Sequence, residues 1–192
     1  MRKLVASVNL TLDGFMAGPD NGLDWHFQCW NDEMAESVTR QLSAMDTILL
    51  GGTTYRAMAP YWSCHFIPRN HHPDGSDFAE MMNTYTKIVF SKTISAPLWN
   101  NTKLAKGELA EEIASLKRKR GKDIIIFGSG EIISALMPMG LIDEYRLWVH
   151  PIAIGSGRPF FRDLHLRLHL ELFSSRTFSS GVVLLYYRPR LD

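Results

Sequence analysis

Ile124-Ile125-Ile126-Phe127-Gly128-Ser129-Gly130-Glu131-Ile132-Ile133-Ser134-Ala135-Leu136-Met137 runs from a short apolar, β-branched segment through a Gly-Ser-Gly turn into a helical pattern. The apolar segment reads as a strand buried on both faces, as in a parallel sheet. Gly128 and Gly130 let the backbone turn sharply and leave no Cβ between the main chain and a ligand. Ser129 is placed to cap the helix, whose unpaired N–H groups and dipole then point at the end of the strand. A phosphate fits there, although a tight strand-to-helix corner that binds nothing has the same sequence.

Outward from this stretch the same grammar repeats. Leu4 to Leu12 is a Val- and Leu-rich strand, followed by a glycine-punctuated loop over residues 13–22. Trp25 to Trp30 is aromatic and stops at Asn31-Asp32, an N-cap for a helix reaching about Ala44. Thr47 to Leu50 is a second buried strand, turned by Gly51-Gly52 into another helix, which Thr53 to Met58 opens. Pro60 to Asp77 reads as irregular, and Lys87 to Ser91 as a third buried strand. An extended piece at Thr102–Leu104 precedes a helix from Glu108 to Arg120. After the central stretch, whose helix ends at Gly140, Asp143 to Val149 is another strand. Leucines at 164, 166, 168, 170 and 172 alternate with polar residues, and a Ser179-Ser180-Gly181 turn reverses the chain into Val182–Tyr187. Strands alternating with helices, then an all-β ending, predict an α/β fold: a mostly parallel sheet covered on both faces, with antiparallel C-terminal strands. With no linker, repeat or low-complexity segment, residues 1–192 are expected to form a single domain.

An apolar fraction of 45 % and a charged fraction of 21 % are ordinary for a soluble globular chain. The net charge of +1 leaves no basic excess to neutralise nucleic-acid phosphates, so no nucleic-acid partner is expected. The run Lys117-Arg118-Lys119-Arg120 closes a helix that opens with Glu108, Glu111 and Glu112, the polarity a helix dipole favours. Cys29 and Cys64 form no CxxC pair and suit a reducing compartment. No signal peptide or spanning segment is read, so the protein is expected in the cytoplasm, away from membranes. His65, His71, His72, Asp74 and Asp77 lack the spacing of a structural zinc site, and no metal is expected.

Three strands end in turns that can face one crevice: Gly51-Gly52-Thr53-Thr54, Ser91-Lys92-Thr93 and Gly128-Ser129-Gly130. Ligands of open parallel sheets bind outside the carboxyl ends of the strands. Two of the turns precede helices, one N-terminus for each side of a pyrophosphate. Ser91 and Lys92 offer a hydroxyl and a cation for an extra ribose phosphate, which favours NADP over NAD.

These turns, with Leu12-Asp13-Gly14-Phe15-Met16-Ala17-Gly18 and Pro151-Ile152-Ala153-Ile154-Gly155-Ser156-Gly157-Arg158-Pro159-Phe160-Phe161, resemble the dihydrofolate reductase-like superfamily. They are most similar to the C-terminal reductase domain of the bifunctional riboflavin-pathway deaminase–reductase, in free-standing form. The resemblance covers nearly the whole chain in order, and Gly-Ser-Gly-Arg-Pro-Phe-Phe is its most specific part. It implies a three-layer αβα domain that binds NADPH and is commonly a homodimer. Ala17 would lie by the nicotinamide, and Gly51, Gly52, Thr53 and Thr54 would hold the pyrophosphate. Ser91 and Lys92 would sit at the adenosine 2′-phosphate, and Gly128, Ser129, Gly130 and Glu131 would cover the other side of the pyrophosphate. Where the family often carries Arg after the first glycine of its second turn this chain has Gly52, so that cation must come from elsewhere. The deaminase half is absent, since no HxE followed by PCxxC occurs.

Reduction of a C=N or C=O bond by a nicotinamide also needs a proton, from a carboxyl group or an ordered water. Asp32, in the stretch where dihydrofolate reductases carry their substrate-binding acid, is the first candidate and Asp13 the second. As plain structure, Asp32 is a helix cap and Asp13 a turn residue. Phe15, Trp25, Trp30, Met58 and Phe161 are candidates to wall a pocket for a flat ring, while Tyr55 packs on its helix. The expectation is an NADPH-dependent reductase of a heterocycle, either pteridine-like or a ribosylaminopyrimidine of riboflavin biosynthesis. The alternatives are a non-catalytic NADP-binding sensor or partner module and a true dihydrofolate reductase.

Overall fold

A computed structural model describes residues 1–63, 76–162 and 167–190. Its frame is an eight-stranded sheet in the order β5-β4-β3-β6-β1-β7-β10-β9. The strands are β1 (Leu4–Thr11), β3 (Met45–Gly51), β4 (Thr86–Phe90), β5 (Thr102–Leu104), β6 (Asp123–Phe127), β7 (Glu144–His150), β9 (Leu170–Thr177) and β10 (Val183–Pro189). Every pairing from β5 to β7 is parallel, and β10 runs antiparallel to both β7 and β9. A separate two-stranded sheet pairs β2 (Phe15–Ala17) with β8 (Arg158–Pro159).

Period-2 alternation splits the apolar residues of each central strand between two helical layers. Val5, Ile48, Leu50, Ile125 and Phe127 face α2 (Asp32–Ser43), α3 (Gly52–Trp62) and α4 (Ser76–Thr84). Leu4, Ala6, Val8, Leu49, Ile124 and Ile126 face α5 (Leu109–Arg118) and α6 (Gly130–Leu136). Because both faces are covered, the strands read as continuous apolar runs instead of alternating ones. A short α1 (Asp24–Gln28) lies ahead of α2. The three-layer α/β arrangement with antiparallel C-terminal strands follows the sequence reading.

Several local expectations are corrected. The stretch read as irregular from Pro60 to Asp77 is helical at both ends, since α3 continues through Pro60 to Trp62 and α4 begins at Ser76. Residues 167–169 pair in no ladder, so β9 begins at Leu170, and as the outermost strand it is exposed over most of its length. The leucine alternation therefore does not mark one half-buried strand over its whole length; its positions 164 and 166, like His65, His71, His72 and Asp74, lie outside the described residues. The loop after β1 contains β2, a three-residue strand too short to carry a periodic signal. Among the described residues no helix is long and apolar enough to cross a membrane, and no cluster of His, Cys, Asp and Glu is arranged to hold a metal ion.

Candidate functional site

The three glycine- and hydroxyl-bearing turns stand at the carboxyl ends of three adjacent parallel strands, β4, β3 and β6. Parallel strands all present their carboxyl ends on one side, so the alternation that builds the sheet also gathers the turns. Side-chain bonds then lace them together. The Ser129 hydroxyl accepts from the Gly51 N–H at 3.0 Å and donates to the Phe127 carbonyl at 3.0 Å. The Ser129 N–H donates to Thr54 Oγ1 at 3.2 Å. Ser129 stands at the N-cap position of α6 but makes no capping bond, because its hydroxyl is spent on this lacing. Gly128 and Ser129 both take left-handed φ angles, 54° and 47°.

Close approach explains the glycines. A Cβ on Gly52 would lie 2.8 Å from Ser91 Oγ, so a side chain there would displace the β4 turn. Ser91 Oγ in turn accepts from the N–H groups of Thr93 and Ile94, both at 3.2 Å. A Cβ on Gly130 would meet the Met16 thioether, so the loop after β1 rests on the Gly-Ser-Gly turn. The N-cap of α3 is Gly51, with no capping side chain and no acidic residue in the first turn, so among the described residues no side chain caps that helix. One turn along, the Arg56 guanidinium bonds Thr93 Oγ1 and lies beside Gly52. Here is a cation beside the second turn, carried on α3 instead of in the turn, which the sequence reading missed. Lys92 is exposed in the turn after β4.

The remaining candidate residues lie on the loop after β1, on α1 to α3, at the start of α6 and around β8. Asp13 is fully engaged: Oδ1 accepts from the Thr11 hydroxyl at 2.5 Å, and Oδ2 accepts from the Ile154 and Gly155 N–H groups at 3.0 and 2.8 Å. These bonds, that from Thr11 foremost, hold its carboxyl below the usual range. They also pin the loop before β8, where Gly157 lies against the Ala17 carbonyl. Asp32 is exposed at the first residue of α2, and the cap there is Asn31, whose Oδ1 accepts from the Met34 N–H at 3.0 Å. Glu131 is exposed and ion-paired to Arg158 at 3.1 Å and Arg162 at 3.6 Å. Met58 is half-buried against the core that also holds Trp30, while Phe161 is half-exposed and edge-on to buried Phe160. Phe15 is partly buried in β2.

Trp25 is buried, and its neighbours were not singled out by the sequence. It packs edge-on to His150, the last residue of β7, with ring centroids 5.0 Å apart. His26 Nδ1 lies 3.4 Å from His150 Nε2, which is also 3.1 Å from Asn9 Oδ1. Burial pushes both imidazoles down to about 4, so both are neutral at physiological pH. Trp25 Nε1, Trp30 Nε1 and His150 Nδ1 are buried without a hydrogen-bond partner. Native interiors rarely leave such groups unpaired. The one signal for this group was Asn9, which interrupts the apolar run of β1.

Comparison with known proteins bears on the fold and the family. The family model of the RibD C-terminal domain matches residues 2–184. The Bacillus subtilis (strain 168) protein YyaP is 34 % identical over 187 residues, covering 97 % of this chain and 94 % of its own. A candidate riboflavin biosynthesis protein from Shewanella sp. PV-4 superposes with a TM-score of 0.76 at 21 % identity, over 98 % of this chain and 99 % of its own. Dihydrofolate reductase from Enterococcus faecalis, complexed with NADP(H), shares the fold with a TM-score of 0.62 at 14 % identity, over 98 % of this chain and 97 % of its own. The chain belongs to the RibD C-terminal domain family.

Proposed function

We propose that this chain is an NADPH-dependent reductase of a small heterocyclic substrate, pteridine-like or a ribosylaminopyrimidine. The observation that carries the reading is the laced set of turns at the ends of β4, β3 and β6, with an uncapped α3 N-terminus and a cation at Arg56. That arrangement fits a pyrophosphate and a further phosphate. The Gly51–Thr54 and Gly128–Gly130 main chains would take the two sides of the pyrophosphate. Glu131 would contribute its N–H, its carboxylate being neutralised by Arg158 and Arg162. Arg56, Ser91 and Lys92 would hold the 2′-phosphate, and Ala17 would border the nicotinamide. NADPH, when bound, supplies the hydride.

The substrate ring would stack among Phe15, Trp25, Trp30, Met58 and Phe161, with Asp32 at the pocket edge and Asp13 holding the loop that closes it. The homodimer implied by the resemblance belongs to the same proposal. The test is NADPH oxidation by the purified protein with ribosylaminopyrimidine and dihydropteridine substrates. Turnover with one of them supports the reading; neither turnover nor cofactor binding overturns it.

A further inference from the structure

We propose that the outer edge of β9 is the docking surface for a second copy of this chain. The two β9 strands pair antiparallel across a two-fold axis, and one sheet then runs through both copies. The inference rests on the homodimer of the proposed function and names the surface that makes it. The sheet ends differently on its two sides. At one edge β5 has three residues, too short to template another strand. At the other edge β9 has eight, and its outer N–H and C=O groups bond to no main chain among the described residues. It carries no proline or lysine, the usual guards of a free edge, and its Leu172 and Phe173 are 48 % and 46 % exposed. Such an edge is a template for strand addition.

The order of charge along β9 selects a second copy as the partner. Glu171 lies near its start and Arg176 near its end. Self-pairing centred between Phe173 and Ser174 sets Glu171 opposite Arg176 of the partner subunit, once at each end. Directly opposed residues share a sheet face, whereas in a regular strand Glu171 and Arg176 would face opposite ways. The bulge in β9 supplies the missing step. Leu172 stands opposite Tyr187 and Ser174 opposite Tyr186, so Phe173 is the extra residue. Glu171 then stands opposite Arg188 and Arg176 opposite Leu184, on the β10 face that carries Tyr186. The bulge falls on the axis, where both copies twist alike. On the other face the same register sets Leu172 against Ser175 of the partner subunit. Within its own chain Glu171 accepts from Arg188 at 2.9 and 3.1 Å. Arg176 lies over the Phe178 ring at 4.8 Å and has no carboxylate partner among the described residues. Glu171 of the partner subunit provides one.

Analytical ultracentrifugation of the full chain tests the surface. The wild type is expected as a dimer. Glu171→Arg and Arg176→Glu each set like charges opposite one another at both ends of the pairing, and each is expected to weaken the dimer at least about tenfold. Mixed together, the two variants regain both opposite-charge contacts, so a heterodimer of wild-type strength is expected. The double variant Glu171→Arg/Arg176→Glu is expected to dimerise by itself for the same reason. Mixing would not restore a role that either residue played only within its own chain. A monomeric wild type overturns the inference together with the homodimer. A dimer indifferent to both substitutions overturns the inference alone and puts the homodimer on another face. NADPH binding by the same samples tests the reductase reading separately.

Discussion

A Cβ at position 157 would lie 2.2 Å from the Ala17 carbonyl oxygen, on a backbone with φ of 153°. Only glycine lets β8 close on β2 there, so Gly157→Ala is expected to cost about 2 kcal/mol or more of stability. A thermal melt reads this directly, and an unchanged midpoint would contradict it. Lys87 makes a second prediction. It is fully buried, donates to the carbonyls of Met82, Asn83 and Tyr85 at 2.7, 3.3 and 2.8 Å, and lies 4.7 Å from the Trp99 ring centre. Lys87→Met leaves those carbonyls without their donor, at about 1–3 kcal/mol each for any that water cannot reach. Denaturant unfolding is expected to show a loss of that order. Neither role was legible from the chain: a lysine in an apolar strand gives no hint that it caps a helix ending at Thr84, three residues before. His26, His150 and Arg56 escaped for another reason, since each meets a polar partner more than thirty residues distant in sequence.

Elements were more legible than contacts. The buried strands announced themselves as apolar, β-branched runs, and the turns after β3, β4 and β6 were read as one crevice before their adjacency was known. What failed was short or ambiguous: β2 and β8 have three and two residues, α4 follows a proline- and histidine-rich stretch, and Pro60 did not end α3. The Ser129 hydroxyl was assigned to its own helix because sequence cannot show a partner such as Gly51 arriving from another strand. At the start of α3 the prediction concerns charge. Arg56→Ala and Lys92→Ala are each expected to weaken NADPH binding about tenfold, near 1.4 kcal/mol, while NADH binding stays within a factor of about two. A titration with both cofactors checks it, and equal losses for both would remove these residues from a 2′-phosphate site.

At the scale of the molecule, the neutral histidine pair ties stability to pH. For His26 and His150 the folded value is about 4, below the ordinary value of 6.5. Between these values the unfolded chain binds more protons, so stability is lost as pH falls from 6.5 to about 4 and is regained above 6.5. Lys87, pushed down to about 8 by burial from 10.5, adds stability in the same sense as pH rises through that range. Chemical denaturation across the acid window is expected to flatten in His150→Gln, and an unchanged slope would contradict the assignment. The central claim is that the ends of β4, β3 and β6 form a site for a phosphorylated dinucleotide. Titration of the purified protein with NADPH and NADH, followed by energy transfer from tryptophan to the nicotinamide, tests it most directly. Saturable NADPH binding at least about tenfold tighter than NADH is the predicted result. Binding of neither would contradict the claim and leave the glycine turns as corners of the fold.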